Sequence, residues 1–367
     1  MYYDPIYQNE QIYIAGPECF YTNGYPHWFA LAGRAEMYGC GVTMPNNNDL
    51  NLGNDDKRKD ADAIFLNCAA SMRKSTAIIL DLEFYRGPDV DGGSIYELGM
   101  AYGLGCRCYA FTRDLREMRF KYQGSQIRGQ QVYDRKDRLL PYADLPFSPN
   151  VLGACKIVEG DFDDALHLLS LDITEERKHS QYPRKQVPIQ SLPAQHARPT
   201  VYLAGPERWD TDAAAQYAAM KRLCAQYGLD ALTPLDGAVP DAGADRYAKA
   251  YQVFQNNRLH VQQCDVVLAN LNDFHGWEPD SDTAFECGLG YILGKKLYGY
   301  MDNNCKMIDR VPNFGEAHEF RDQCGCNAEN FDYPINCMFA GSMPILGGKL
   351  EEVLKEVAED LKKQGVL

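Results

Sequence analysis

The stretch Ile12-Tyr13-Ile14-Ala15-Gly16-Pro17-Glu18 returns later in the chain as Val201-Tyr202-Leu203-Ala204-Gly205-Pro206-Glu207. A β-type run that breaks at Gly-Pro is common by itself. Its recurrence is what decides the architecture, because internal repeats fix how many units a chain contains. Two further matches follow. Asp91-Gly92-Gly93-Ser94-Ile95-Tyr96-Glu97 aligns with Asp280-Ser281-Asp282-Thr283-Ala284-Phe285-Glu286, inside a gap-free alignment of Arg86–Gly99 with His275–Gly288. Tyr13 to Tyr202, Asp91 to Asp280 and Glu97 to Glu286 all differ by 189 positions. Near the end of each half, Pro149-Asn150 answers Pro334-Ile335-Asn336, with the two Asn residues 186 apart. The chain is a duplication.

Each half repeats one order of elements. A β run (11–15, 200–204) breaks at Gly-Pro and leads to a helical stretch, read over 211–227 in the second half from its apolar spacing. A further β run leads to Pro45 or Pro234. A polar loop and a second helix follow, then an apolar strand (76–80, 265–271). The Asp/Glu segment opens a third helix, which feeds a strand at 107–111 or 296–300. Strands alternating with helices predict an α/β fold with a doubly wound parallel sheet in each of two tandem domains. Residues 175–199 are rich in Pro, Gln and charge without apolar periodicity, which predicts an extended linker between domains near 10–174 and 199–367.

Ligands of such sheets sit outside the carboxyl ends of the strands. Gly16-Pro17, Gly205-Pro206, Asp81, Asn270 and both Asp/Glu segments are expected to gather there. Composition narrows the ligand. A net charge of −14 argues against a nucleic-acid polymer, while one phosphate can still be held by local backbone N–H groups. No run of about 18 uncharged apolar residues predicts a membrane span. Residues 1–11 lack the features of a signal peptide, so a cytoplasmic location is expected. The 13 cysteines are scattered, which fits reduced thiols. Cys106/Cys108 and Cys324/Cys326, the latter with His318 nearby, lack zinc-ligand spacing, so no metal site is expected.

Glu97 and Glu286 stand about one turn into their helices, where the helix N-terminus favours an ionised carboxylate. Such a carboxylate beside a sugar C1 is a competent nucleophile for glycosidic cleavage. Acidity at a helix start is also common for electrostatic reasons alone; repetition in a matching segment tips the balance towards chemistry. Asp91 and Asp280, six residues earlier, can hold a proton for a departing base or serve as helix N-caps. Tyr13 and Tyr202 could orient the nucleophile, or be half-buried strand aromatics. Gly16 and Gly205 permit close approach to a ligand. Ser94 and Thr283 suit a phosphate-bearing substrate and fit ordinary caps equally well.

Together these motifs resemble the nucleoside 2-deoxyribosyltransferase family: the Tyr-Leu-Ala-Gly-Pro strand, the Asp-x-Gly-Thr/Ser-x-x-Glu helix start and the terminal Pro-x-Asn. The resemblance implies flavodoxin-like domains that form an intramolecular pseudo-dimer. It also implies exchange of bases on 2-deoxyribose without metal or organic cofactor. Glu97 and Glu286 are then the nucleophiles, Asp91 and Asp280 the base-contacting acids, and Tyr13 and Tyr202 the orienters. Its terminal Asn reaches a neighbouring subunit's site, so Asn336 is expected to complete the Glu97 site and Asn150 the Glu286 site. Partners would be nucleosides or nucleotides and free nucleobases; N-hydrolysis of nucleosides or their 5′-monophosphates is the rival activity, and a binding protein without turnover a further one. Assembly of the pseudo-dimer into a homo-oligomer stays open.

Each half departs from the pattern. Asp282 stands where the family carries Gly, and would raise the pKa of Glu286 or point to solvent. Asn67-Cys68 and Asn256-Asn257 stand where the family has an Asp. Thr76 replaces the counterpart of Asp265. One of the two sites is therefore open to decay.

Overall fold

The computed structural model describes residues 10–44, 52–53, 55–122, 124–129, 131–140, 142–179, 187–193, 197–315 and 320–367. Pro45, His318 and the linker positions 180–186 and 194–196 lie outside the described residues. The first half runs β1 (Gln11–Ala15), α1 (Gly24–Met37), β2 (Gly41–Thr43), α2 (Lys57–Lys74), β3 (Ala77–Asp81), α3 (Gly92–Gly103) and β4 (Arg107–Thr112). It continues with α4 (Met118–Lys121), β5 (Gln126–Arg128), β6 (Gln131–Tyr133), α5 (Pro149–Ala154), β7 (Lys156–Glu159) and α6 (Phe162–His179). The second half repeats the scheme with β8 (Thr200–Ala204), α7 (Ala213–Gln226), β9 (Asp230–Leu232), α8 (Arg246–Gln263), β10 (Val266–Asn270), α9 (Ser281–Ile292) and β11 (Lys296–Met301). Then come α10 (Met307–Arg310), β12 (Asn313–Phe314), β13 (Arg321–Asp322), α11 (Cys337–Ala340), β14 (Ile345–Gly347) and α12 (Leu350–Lys363).

Two five-stranded sheets result, ordered β2-β1-β3-β4-β7 and β9-β8-β10-β11-β14. Every pairing within them is parallel. This is the doubly wound order of flavodoxin-like folds. Strands β3 and β4 are buried along their whole length, and β1 at all but its first residue, as expected of strands covered by helices on both faces. Helix α12 shows how the outer layer is held. Leu350, Val353, Leu354, Val357, Ala358 and Leu361 recur at helical spacing and are all buried.

The halves meet through α3 and α9, and glycine sets how closely. A Cβ on Gly99 would overlap the Phe285 carbonyl, and one on Gly288 would overlap the Tyr96 carbonyl. Gly99 and Gly288 are counterparts in the repeat, as are Gly87 and Gly276, whose backbones also touch. The seam therefore lies on a pseudo-twofold axis. The short hairpins are exchanged across it. Arg321 and the Asn327 N–H of the β12–β13 region donate to the Phe20 carbonyl. Arg138 and the Leu139 N–H after β6 donate to the Phe274 and Trp209 carbonyls of the second half.

The expected linker begins later than its composition predicts, because α6 continues to His179. Arg107 holds Glu176 with two hydrogen bonds of 2.6 and 2.7 Å, and Lys178 pairs with Glu175, which favours helix over coil here. Beyond it, the Ile189 N–H donates to the Gly103 carbonyl and the Leu192 N–H to the Gln262 carbonyl. The connecting segment is thus tied to both halves. Among the described residues, no helix is long and apolar enough to cross a membrane.

Candidate active site

The two Asp/Glu segments lie beside the carboxyl ends of β1 and β8, facing each other across the seam. In the first half, Asp91 caps α3, its Oδ2 accepting the Ser94 N–H at 2.8 Å and the Ser94 hydroxyl at 2.6 Å. Glu97, one turn further, accepts the Tyr13 hydroxyl at 2.5 Å. Cys68 of α2 lies against that hydroxyl. In the second half, Asp280 caps α9 in the same way through Thr283, and Glu286 accepts the Tyr202 hydroxyl at 2.8 Å. Ser94 and Thr283 thus act as cap partners of their own aspartates.

Each pocket borrows residues from the other half. Asn150 donates its amide to Glu286 Oε1 at 3.1 Å and is itself steadied by Asn257 at 3.1 Å. Asn336, the N-cap of α11, lies against Gly93 in the Glu97 pocket. Glu278 of the second half lies against Gly92, and Glu329 accepts the Cys337 N–H at 3.4 Å beside Asn336. Arg86 of the first half binds Asp322 of the second at 2.9 Å, Glu278 at 3.4 Å and the Asn327 carbonyl at 2.8 Å. Its counterpart His275 meets Asp134 at 3.0 Å, and burial pushes the imidazole down to about 4.

Gly16 and Gly205 make room for a carboxylate of their own chain: a Cβ on either would overlap Glu18 or Glu207. The close approach expected for a ligand is used by these buried acids. Asp81 lies next to Glu18 and also accepts the Glu83 N–H at 2.7 Å, while Asn270 donates to Glu207 at 2.7 Å.

Burial governs the electrostatics. It pushes Glu97 and Glu286 up to about 8, against the helix N-terminus that favours their ionised form. The expectation of carboxylates held ionised is thereby reversed for the free protein. Burial, with the neighbouring Asp282 charge, also raises Asp280 to about 6. Burial also raises Asp91, and lifts Asp81 to about 6 and Glu278 to about 8.

Two of the departures change meaning in three dimensions. Asp282 does not point to solvent. It is buried, accepting Arg208 Nη1 at 2.8 Å and the Asn150 N–H at 2.9 Å, and its charge adds to burial in raising Glu286. Thr76 and Asp265 both brace the start of a first strand, at the end of the sheet opposite the pockets. Thr76 Oγ1 accepts the Gln11 N–H, and Asp265 accepts the Thr200 N–H. That substitution leaves the site untouched. Of the CxC pairs, Cys106 and Cys108 are buried at β4, while Cys324 and Cys326 both donate their N–H groups to Asp322, the partner of Arg86. Among the described residues, no group of three or more His, Cys, Asp or Glu is arranged to hold a metal ion.

Sequence reading missed Glu18, Glu207, Glu278, Asp89, Glu329, Arg86 and Arg208. Glu18/Glu207 and Asp89/Glu278 were visible as acids repeated at the same 189-residue offset. Glu329, Arg86 and Arg208 have no like counterpart and carried no signal.

The sequence profile of the nucleoside 2-deoxyribosyltransferase family matches residues 12–162 and 201–338, and the chain belongs to that family. Membership makes it an enzyme of the transferase kind with small-molecule nucleosides as its substrate class. No curated protein matches it. Solved structures similar to parts of it include a 2-deoxyribosyltransferase from Leishmania mexicana, 25% identical over 44% of this chain and 97% of that one, with a TM-score of 0.37. Another is the 2-deoxyribosyltransferase of Bacillus psychrosaccharolyticus, 23% identical over 28% of this chain and 71% of that one, TM-score 0.22. A conserved protein from Enterococcus faecalis is 19% identical over 44% and 98% of the two chains, TM-score 0.30.

Proposed function

We propose that the enzyme transfers 2-deoxyribose between nucleobases by double displacement on a glutamate. The observation that carries this reading is the Tyr13–Glu97 hydrogen bond of 2.5 Å, one turn above Asp91 in a pocket at the carboxyl edge of the sheet. Glu97, once ionised, attacks C1′ of the donor nucleoside. The C1′–N bond breaks, its electron pair goes to the base nitrogen, and a proton on Asp91 goes with it. A nitrogen of the incoming base then attacks C1′, the ester to Glu97 breaks, and Asp91 takes the proton released. Two inversions give net retention.

Asp91 suits the proton-carrying role. Its Oδ2 is held by Ser94, whereas its buried Oδ1 has no hydrogen-bond partner among the described residues. Burial favours its protonated form. Tyr13 donates to the nucleophile and so favours its ionised form, and Asn336 stands ready for the sugar. The reading takes the chain as two copies of one unit, with boundaries near residues 174 and 199.

The charge around Glu97 favours a nucleoside over its 5′-monophosphate. Glu278, Glu329, Glu18 and Asp81 are all buried nearby, and Arg86 is already committed to Asp322, Glu278 and a carbonyl. A phosphate dianion finds no free cation among these groups, and desolvating it there is costly.

Incubation with a panel of deoxynucleosides and free bases, read by chromatography, tests the proposal. A new nucleoside that disappears with Glu97→Ala supports it. Release of free base alone would make the enzyme a hydrolase, and binding without turnover would make it a nucleoside-binding protein.

A further inference from the structure

The two pockets share their Tyr–Glu pair and their capping aspartate, yet the space in front of the glutamate is treated differently. Three positions carry the difference. Gly93, Cys19 and Phe20 of the first half have Asp282, Arg208 and Trp209 as counterparts. All three second-half residues are larger or charged, and all three are buried, whereas Cys19 and Phe20 are only half-buried.

In the second pocket Arg208 and Asp282 join a network that reaches Glu286. Arg208 donates to Asp282 at 2.8 Å and contacts Tyr142 of the first half. Asp282 also accepts the Asn150 N–H, and the Asn150 amide is divided between the Asp282 carbonyl and Glu286. Glu286 is thus held by Tyr202 and Asn150 together, with Arg208 nearby to offset its charge. Beside the start of α9, a cavity lined in part by Asp89, Phe147, Ser148, Trp209 and Ser281 measures about 10 Å³, room for roughly one water.

The first pocket is the reverse. Glu97 has Tyr13 as its hydrogen-bond partner and no contact matching that of Asn150. Glu278 Oε2 and Glu329 Oε2 are buried and without hydrogen-bond partners among the described residues, in addition to Asp91 Oδ1, which Asp280 Oδ1 matches in the second pocket. Unsatisfied buried acceptors are costly unless a ligand supplies donors, as the hydroxyls and N–H groups of a nucleoside would. Asn336 uses its oxygen on the Met338 N–H at 2.8 Å, which leaves its amide N–H groups for a ligand.

We infer that the chain works at one site: the Glu97 pocket turns over, while the Asp282–Arg208 pair and Trp209 occupy the substrate's place in front of Glu286. The second half then serves the reaction by lending Asn336, Glu278 and Glu329 across the seam. This rests on Glu97 being the nucleophile, and the test separates the two claims.

Full-length protein is mixed with a 2-deoxynucleoside donor without acceptor, quenched in acid, and examined by intact mass and peptide mapping. In parallel, calorimetric titration with the same donor counts occupied pockets. The expected result is at most one deoxyribosyl group per chain, on the peptide carrying Glu97, and one donor bound. Arg208→Cys and Trp209→Phe with Asp282→Gly, which restores the first-half residues, is expected to add a second group on Glu286 and a second bound donor. Two groups or two bound donors in the unaltered protein would overturn the inference whether or not that variant folds. A single bound donor with no covalent group on either glutamate would remove the covalent mechanism and leave the one-site count standing. No binding at all would remove both.

Discussion

The Glu97 and Glu286 pockets began as copies, and their divergence is concerted. Where the first half has Gly93 and Cys19, the second has Asp282 and Arg208, which neutralise each other inside the second pocket. Neither change is tolerable alone in a buried place. The first pocket has small residues at those positions and holds Glu278 and Glu329, with Arg86 paired to Glu278. One glutamate is held by Tyr202 and Asn150 behind a buried ion pair. The other stands among unpartnered acceptors on Glu278 and Glu329 that a ligand can satisfy.

The comparison can be broken most directly at the two glutamates. Glu97→Gln is expected to lower kcat/KM by about a thousandfold or more, since it removes the nucleophile. Glu286→Gln is expected to lower it less than about tenfold; equal losses in a transfer assay would show that both pockets work. Next in size is the ion pair. Arg208→Ala leaves Asp282 buried and uncompensated, at a cost of about 3–5 kcal/mol in denaturant unfolding, and Asp282→Ala in the same chain is expected to restore most of it. Stability unchanged in the single variant would mean that the pair is not closed in solution.

The pH dependence sharpens the contrast further. Because burial holds Glu97 near 8, kcat/KM is expected to rise through about pH 8 as the carboxylate forms. Tyr13→Phe removes the donor that favours the ionised form, so it should move this limb to higher pH and lower the rate about tenfold. A limb near 4.5, or one unmoved in the variant, would contradict the role of Tyr13. The smallest effect concerns stability. An acid raised from about 4.5 unfolded to about 8 folded binds its proton more tightly in the folded state. It therefore costs nothing below about pH 4.5, and an increasing amount as pH rises towards 8. The Tm is expected to fall by roughly 5 °C or more between pH 5 and pH 8. Glu278→Gln in one pocket and Asp89→Asn in the other should each flatten that fall, measured by calorimetry.

Much of the architecture was legible because it depends on local signals. The runs 11–15 and 200–204 coincide with β1 and β8, and the Gly-Pro breaks mark their ends. The helix read over 211–227 is α7, two residues shorter at the start and one at the end. The six-residue spacing from Asp91 to Glu97 indicated that both carboxyls could reach one cleft. Long-range packing was not legible. Arg86 reads as a loop residue until the β12–β13 region of the other half brings Asp322 to it, and Glu329 lies in an irregular stretch with no periodic signal. Charge states were misjudged because the helix N-terminus is a local effect, whereas burial of Glu97 and Glu286 depends on everything packed around them.

The glycines at the seam carry a consequence for how such a chain changes over generations. Gly99 and Gly288 each admit the other helix's backbone, so neither can gain a side chain without disturbing both halves. In an assembly of identical subunits the pockets would be under the same joint constraint, since one codon would write both. Here the interface still behaves as a shared clause while the pockets are written separately. A substitution can be tried in front of Glu286 while Glu97 keeps its surroundings, which gives fused copies a route to division of labour that paired identical chains lack.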